Sequence, residues 1–288
     1  MRPIEILIAL LVMMVWGGNF VAMRIGVMHL PPFLTLSCRM LIASAILVWF
    51  LKSPKGQWPL LLAISFSMST LHFGLGLVGM QEIEAGPGAI AMQASVPFAA
   101  IIVWLVYRET LGWRRFFGMI ISFIGILIIS GSPDTTGHTN MLGVLILSAF
   151  FFAVASILIK RLKDIDFVSV NAWVSILSLP QAVLISACFE EQHFQAAMTA
   201  PWQTWLVVIY MALGATIIGQ GLWYRTLARH DTNSVMPFTL LVPVFGVFFG
   251  TIFLGENLDF QNVSGGLVTI AGVGIILTYK ITKRSPQL

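Results

Sequence analysis

The chain has 288 residues, of which 58% are hydrophobic and only 10% charged, with a formal net charge of +4. A soluble domain carries roughly 25% charged and about 45–50% apolar residues, and a fold of this size cannot hide the excess, which excludes an ordinary soluble enzyme. The basic residues fall one to three per loop instead of forming a patch or stripe, which excludes a nucleic-acid partner. Apolar blocks of about 20 residues, each long enough to cross ~30 Å of hydrocarbon at about 1.5 Å per residue, predict ten transmembrane helices. In chain order they cover residues 4–28, 32–51, 58–79, 84–106 and 113–131, then 140–161, 167–189, 202–224, 234–254 and 261–281. The first block is too long for a signal peptide and lacks a small-residue cleavage site, so it reads as the first retained helix. The breaks fall at Pro31-Pro32, Ser53-Pro54, Gly131-Ser132-Pro133 and Ala200-Pro201, because proline lacks an amide donor and restrains the residue before it.

Orientation follows from the loops. With the N-terminus inside, 14 of the 16 lysines and arginines lie in cytoplasmic segments, and the exceptions are Arg24 and Arg39. The opposite face carries Glu82, Glu84, Asp134, Glu190, Glu191, Glu256 and Asp259 with His29, His138 and His193. This bias satisfies the positive-inside rule and places both termini of a multi-pass membrane protein in the cytoplasm. Cys38 and Cys188 form no CxxC and have no histidine at ligand spacing, so neither a metal site nor a disulfide framework is implied.

An internal repeat is visible. At a constant offset of 147, Glu109 matches Glu256, Leu111 matches Leu258, Gly118 matches Gly265 and Gly125 matches Gly272, and a one-residue slip pairs Pro97 with Pro243. Five helices is an odd number, so two such halves lie upside down relative to one another. The expected fold is therefore an all-α integral membrane protein of ten transmembrane helices in two inverted five-helix repeats, 1–131 and 140–281, with a cytoplasmic tail over 282–288. In secondary transporters of that design the site lies near the midplane at the repeat interface.

Polar residues inside apolar spans are costly and face a bundle interior or cavity by default. Arg39, about seven residues into the second span, is placed to clamp a substrate carboxylate, or else to snorkel outward or pair with Glu82 or Glu84. Trp16, Asn19 and Phe20 share one face of the first helix, an aromatic wall with one amide that suits a small zwitterion or ordinary interhelix packing. His72 is the only embedded histidine, a candidate proton carrier or a neutral group hydrogen-bonded across helices. Gln93 stands one turn before Pro97, beside a carbonyl that proline leaves free. Gln220, Trp223 and Tyr224 follow at i, i+3 and i+4 in the eighth span, lining the cavity or serving as interfacial belt residues. Pro237 and Pro243 mark a bent or broken ninth helix that can hinge. Glu109 and Glu256 precede the fifth and tenth helices, where a carboxylate complements a helix N-terminus, a structural role. The spans hold no mid-membrane Asp or Glu and no catalytic constellation, so an intramembrane enzyme is disfavoured and no cofactor is expected. A proton or a counter-substrate remains open as the coupling partner, as do monomer and homodimer.

The stretch VWGGNFVAMRIGVMHLPPFLTLSCRM from Val15, together with the repeated Glu and glycines, resembles the drug/metabolite transporter superfamily, specifically its EamA branch. The stretch ATIIGQGLWYRTLARHDTNSVMPFTLLVPVFGV from Ala215 most resembles bacterial exporters of O-acetylserine and cysteine. The resemblance implies a ten-helix basket whose central cavity alternates access and moves small metabolites out of the cytoplasm without covalent chemistry. The same superfamily includes multidrug and purine or nucleoside exporters, the alternative reading of the substrate.

Overall fold

The computed structural model describes residues 3–54, 56–107, 112–132, 137–191, 193–230, 235–257 and 259–278. Among them, nine helices are long and apolar enough to cross a membrane. These are α1 (Pro3–His29), α2 (Pro32–Phe50), α3 (Trp58–Gly79), α4 (Ala85–Val106), α5 (Trp113–Ser130), α6 (Thr139–Ile159), α7 (Phe167–Phe189), α8 (Trp202–Trp223) and, after one shorter helix, α10 (Phe260–Leu277). The shorter one is α9 (Phe238–Leu254), the remaining member of the expected ten. A tight 3-10 turn over Met236–Leu240 leads into it. That turn rises about 2 Å per residue and so lengthens its reach. The chain is an all-α, multi-spanning membrane protein.

Local chemistry sets the helix starts. Pro31 is extended and Pro32 opens α2, where a missing amide costs nothing. Asp166 caps α7, its Oδ1 accepting from the Ser169 amide at 3.0 Å. Proline also stands inside α7, at Pro180. Three helices widen into π turns, α3 over Phe66–Phe73, α8 over Met211–Gly219 and α9 over Gly250–Leu254.

The interior is the polar side of the fold. Asn19, Arg39, His72, Gln93, Ser148 and Thr216 are buried, while Trp49, Leu127, Phe189 and Phe260 stand exposed. That arrangement suits a lipid surround, where apolar side chains need no shelter and polar ones do. Helix α1 packs against α8 and α9, and α6 against α3 and α4. Helix α2 packs on α7, α4 on α9 and α5 on α10, while α2 also meets α8 and α7 meets α3.

The α5–α10 contact is made backbone to backbone. A Cβ on Gly125 would lie 2.6 Å from the Gly265 carbonyl oxygen, and one on Gly272 would lie 2.6 Å from the Gly118 carbonyl oxygen. Position 118 thus meets 272 and 125 meets 265, so the two helices run antiparallel, and the small residues permit the approach.

Candidate substrate cavity

Seven of the nine residues expected in a cavity come together in one. Trp16, Asn19, Phe20, Arg39, His72, Gln93 and Gln220 line a central hollow of about 180 Å³. Phe73, Phe152, Ala215, Thr239 and Val242 complete much of the wall, which draws on α1, α2, α3, α4, α6, α8 and α9. A groove of about 250 Å³ between α4, α9 and α10 is larger but lined mainly by apolar side chains. The central cavity gathers the buried polar ones.

Helix α1 supplies the aromatic wall. The Trp16 indole donates to the Ala215 carbonyl at 3.3 Å, which fixes the ring against α8. Asn19 Nδ2 donates to the Met23 sulfur at 3.2 Å, whereas Oδ1 is buried without a hydrogen-bond partner among the described residues. A buried amide oxygen in that state has lost water and gained nothing, and an N–H donor entering the cavity would restore the bond.

Arg39 is 1% exposed. Its Nε and Nη2 both donate to Thr216 Oγ1, at 3.0 and 2.8 Å, and its guanidinium carbon lies 4.0 Å from the centre of the Phe73 ring. Nη1 has no hydrogen-bond partner among the described residues. The alternatives of snorkelling or pairing with Glu82 or Glu84 are not what the structure contains: the side chain points inward, and Glu82 pairs with His138 at 3.1 Å. Thr216 is itself fixed. The π turn lets its hydroxyl donate to the Met211 carbonyl five residues back at 2.9 Å, and Asn171 of α7 donates to its carbonyl at 2.9 Å. Among the described residues the result is a desolvated cation held by two neutral groups, the Thr216 hydroxyl and the Phe73 ring, with Nη1 unpartnered and no carboxylate beside it.

His72 packs between Phe73 and Phe152, with ring centroids 4.8 and 4.9 Å away. Its Nδ1 faces Ser148 of α6. Gln93 lies in a 3-10 turn before Pro97, where the lost amide of proline is accommodated, and its Nε2 reaches the Thr239 carbonyl at 3.5 Å. Trp223 does not reach the cavity wall; it is buried against Trp16, ring centroids 5.4 Å apart, and supports that ring from behind. The side chains of Tyr224 and Pro237 and the whole of Glu109 and of the 282–288 tail lie outside the described residues. Pro237 opens the 3-10 turn leading into α9, and Pro243 lies inside α9.

Glu256 serves a different helix from the one its sequence position suggests. It was expected to complement α10, which follows it, but its two carboxylate oxygens accept from the Ala85 and Gly86 amides at 2.6 and 2.9 Å. It therefore caps α4 from across the fold. Gly255, in a left-handed conformation at φ 68°, ends α9 just before it. A Cβ on Gly250 would meet the carboxylate, so that glycine leaves it room. Glu256→Ala should cost about 2–3 kcal/mol, the worth of charge-assisted bonds to amides buried from water. The check is the unfolding midpoint in detergent, with Glu256→Gln falling between alanine and the parent.

Glu190 does the same for α2, accepting from the Phe33 and Leu34 amides at 2.7 and 3.0 Å. Arg24, the other basic residue away from the loops, donates to the Met80 carbonyl at 2.7 Å and also to the Gln81 carbonyl, tying α1 to the end of α3.

A multi-spanning bundle that gathers buried polar side chains around one internal cavity is the form of a membrane transporter. The model of the EamA-like transporter family matches residues 3–131 and again residues 140–278, and the chain belongs to that family. A probable amino-acid metabolite efflux pump of Salmonella typhimurium is 29% identical over 277 residues, 93% of each chain. The protein of the same description from Escherichia coli is 26% identical, again over 93% of each chain. An uncharacterized transporter of Archaeoglobus fulgidus is 27% identical over 93% of this chain and 95% of its own. One solved crystal structure shares the fold with a TM-score of 0.66 at 13% identity, covering 96% of both chains. The relatives of Salmonella typhimurium, Escherichia coli and Archaeoglobus fulgidus are described as efflux pumps or transporters.

Proposed function

We propose that this chain is an inner-membrane secondary transporter that exports small zwitterionic metabolites, amino acids or derivatives such as cysteine and O-acetylserine. The observation that carries the reading is Arg39, a buried guanidinium in the cavity wall whose Nη1 lacks a partner, and which faces no carboxylate, among the described residues. A substrate carboxylate supplies the missing charge and the missing acceptor together. The two efflux pumps of Salmonella typhimurium and Escherichia coli support the same substrate class. The volume argues against the multidrug alternative: about 180 Å³ falls below the roughly 300–1,000 Å³ of pockets that take drug-sized ligands.

The halves 1–131 and 140–281 are read as inverted repeats with both termini cytoplasmic. The helix contacts support this, because exchanging each helix for the one five places away turns α1–α9 into α6–α4, α1–α8 into α6–α3 and α2–α8 into α7–α3, all of them present. The antiparallel crossing of α5 and α10 through the repeat-matched glycines supports it too. Counterflow in proteoliposomes against amino acids, purines and cationic drugs tests the substrate, and exchange limited to purines or drugs would refute the reading. Reporter fusions at each end test the orientation, which an external C-terminus would overturn.

A further inference from the structure

The hydrogen bonds around His72 decide where its proton sits. Nδ1 lies 3.2 Å from the Ser148 carbonyl oxygen and 3.1 Å from Ser148 Oγ, and that hydroxyl donates to the His72 carbonyl at 2.6 Å. A carbonyl can only accept. The hydroxyl has one proton, already given to the His72 carbonyl, so towards Nδ1 it also accepts. Nδ1 therefore carries the hydrogen, and the neutral ring presents a lone pair at Nε2. Nε2 has no hydrogen-bond partner among the described residues, and His72 lines the cavity. Asn19 Oδ1 is a second acceptor in the same wall, also without a partner.

The cavity wall thus holds a charged donor, Arg39, together with these two neutral acceptors. We propose that His72 Nε2 and Asn19 Oδ1 form the amine-recognition half of the site, accepting N–H bonds from the primary ammonium of a substrate whose carboxylate meets Arg39. This rests on the amino-acid reading above and gives His72 a specificity role as a neutral acceptor in place of a proton carrier. A site built to bond an N–H rejects an analogue lacking it, because its own buried acceptors are then left unpaired. A primary amine is consequently required in addition to the carboxylate.

The test compares L-cysteine with 3-mercaptopropionate, the same thiol acid without the amine, in proteoliposome counterflow with the full-length protein. The unsubstituted protein should prefer cysteine by about 100-fold or more. His72→Asn keeps the amide near Ser148 but withdraws it from the cavity, and should reduce that preference about tenfold. His72→Gln places a carbonyl oxygen near the position of Nε2, cannot titrate, and should hold the preference to within about threefold. Asn19→Ala removes the second acceptor without touching the Ser148 contact and should reduce the preference in the same way. If both His72→Asn and Asn19→Ala retain the full preference, or if His72→Gln and His72→Asn lose flux of both compounds equally, the proposal is overturned. Absence of any amino-acid exchange in the unsubstituted protein is a separate result, and refutes the transport reading itself.

Discussion

Arg39→Met should lower amino-acid flux by about 10- to 100-fold while leaving the folded protein at least as stable as before. The two halves of that expectation have one cause. The guanidinium is 1% exposed and, among the described residues, bound only to a threonine hydroxyl and an aromatic face, so the fold bears the desolvation of a cation without an anion of its own to offset it. Methionine removes that cost and fills much the same volume. It also removes a charge-assisted bond to substrate, worth about 1.5–3 kcal/mol, which is about one to two powers of ten in affinity. Arg39→Lys should recover part of the flux, since the charge remains but the planar fork that holds Thr216 with two nitrogens does not. Flux measured beside the melting temperature separates this from a structural role: loss of folded protein in Arg39→Met would make the residue a helix lock, and unchanged flux would remove it from the site.

A second large effect is expected at the α5–α10 crossing. Gly125→Ala places a methyl 2.3 Å from Thr269 Oγ1, 2.5 Å from the Thr269 nitrogen and 2.6 Å from the Gly265 oxygen. Two of those three atoms are backbone, so no side chain can rotate aside and the helices must separate. Overpacking of this kind costs about 1–3 kcal/mol where neighbours can yield, and the upper end or beyond applies here. Gly143→Ala is the matched control, since nothing lies within 4 Å of its added methyl and alanine is the better helix former by about 1 kcal/mol. Thermal unfolding in detergent should show a large drop for the first and none for the second; equal melting temperatures would mean that the close crossing does not bear on stability.

Much of this molecule was legible in its sequence because lipid imposes simple rules. Apolar runs must span, prolines must interrupt them, and a buried arginine, histidine, asparagine or glutamine must find an interior. Arg39, His72, Asn19 and Gln93 were singled out on that ground, and they meet in one cavity. What escaped has equally physical reasons. Thr216 and Ser148 look like any hydroxyl in a membrane helix, where such residues satisfy themselves on their own backbone, as Ser37, Ser44 and Ser156 do here. Nothing local distinguishes a hydroxyl that also serves Arg39 or His72 from one that serves only itself. Phe152 and Phe73 carry no polar signal at all. Glu256 was assigned to the helix next to it in sequence, and the helix it caps is 170 residues away. Trp223 had the right spacing to follow Gln220 into the cavity but is held behind Trp16 by ring packing.

Among the described residues the wall of the cavity takes nothing from α5, α7 or α10. Two of those three, α5 and α10, form the crossing in which the backbones meet at glycines. Frame and wall are therefore different parts of the sequence, free to change at different rates. A lineage could rewrite the wall for a new cargo, one residue at a time, and inherit the chassis unaltered.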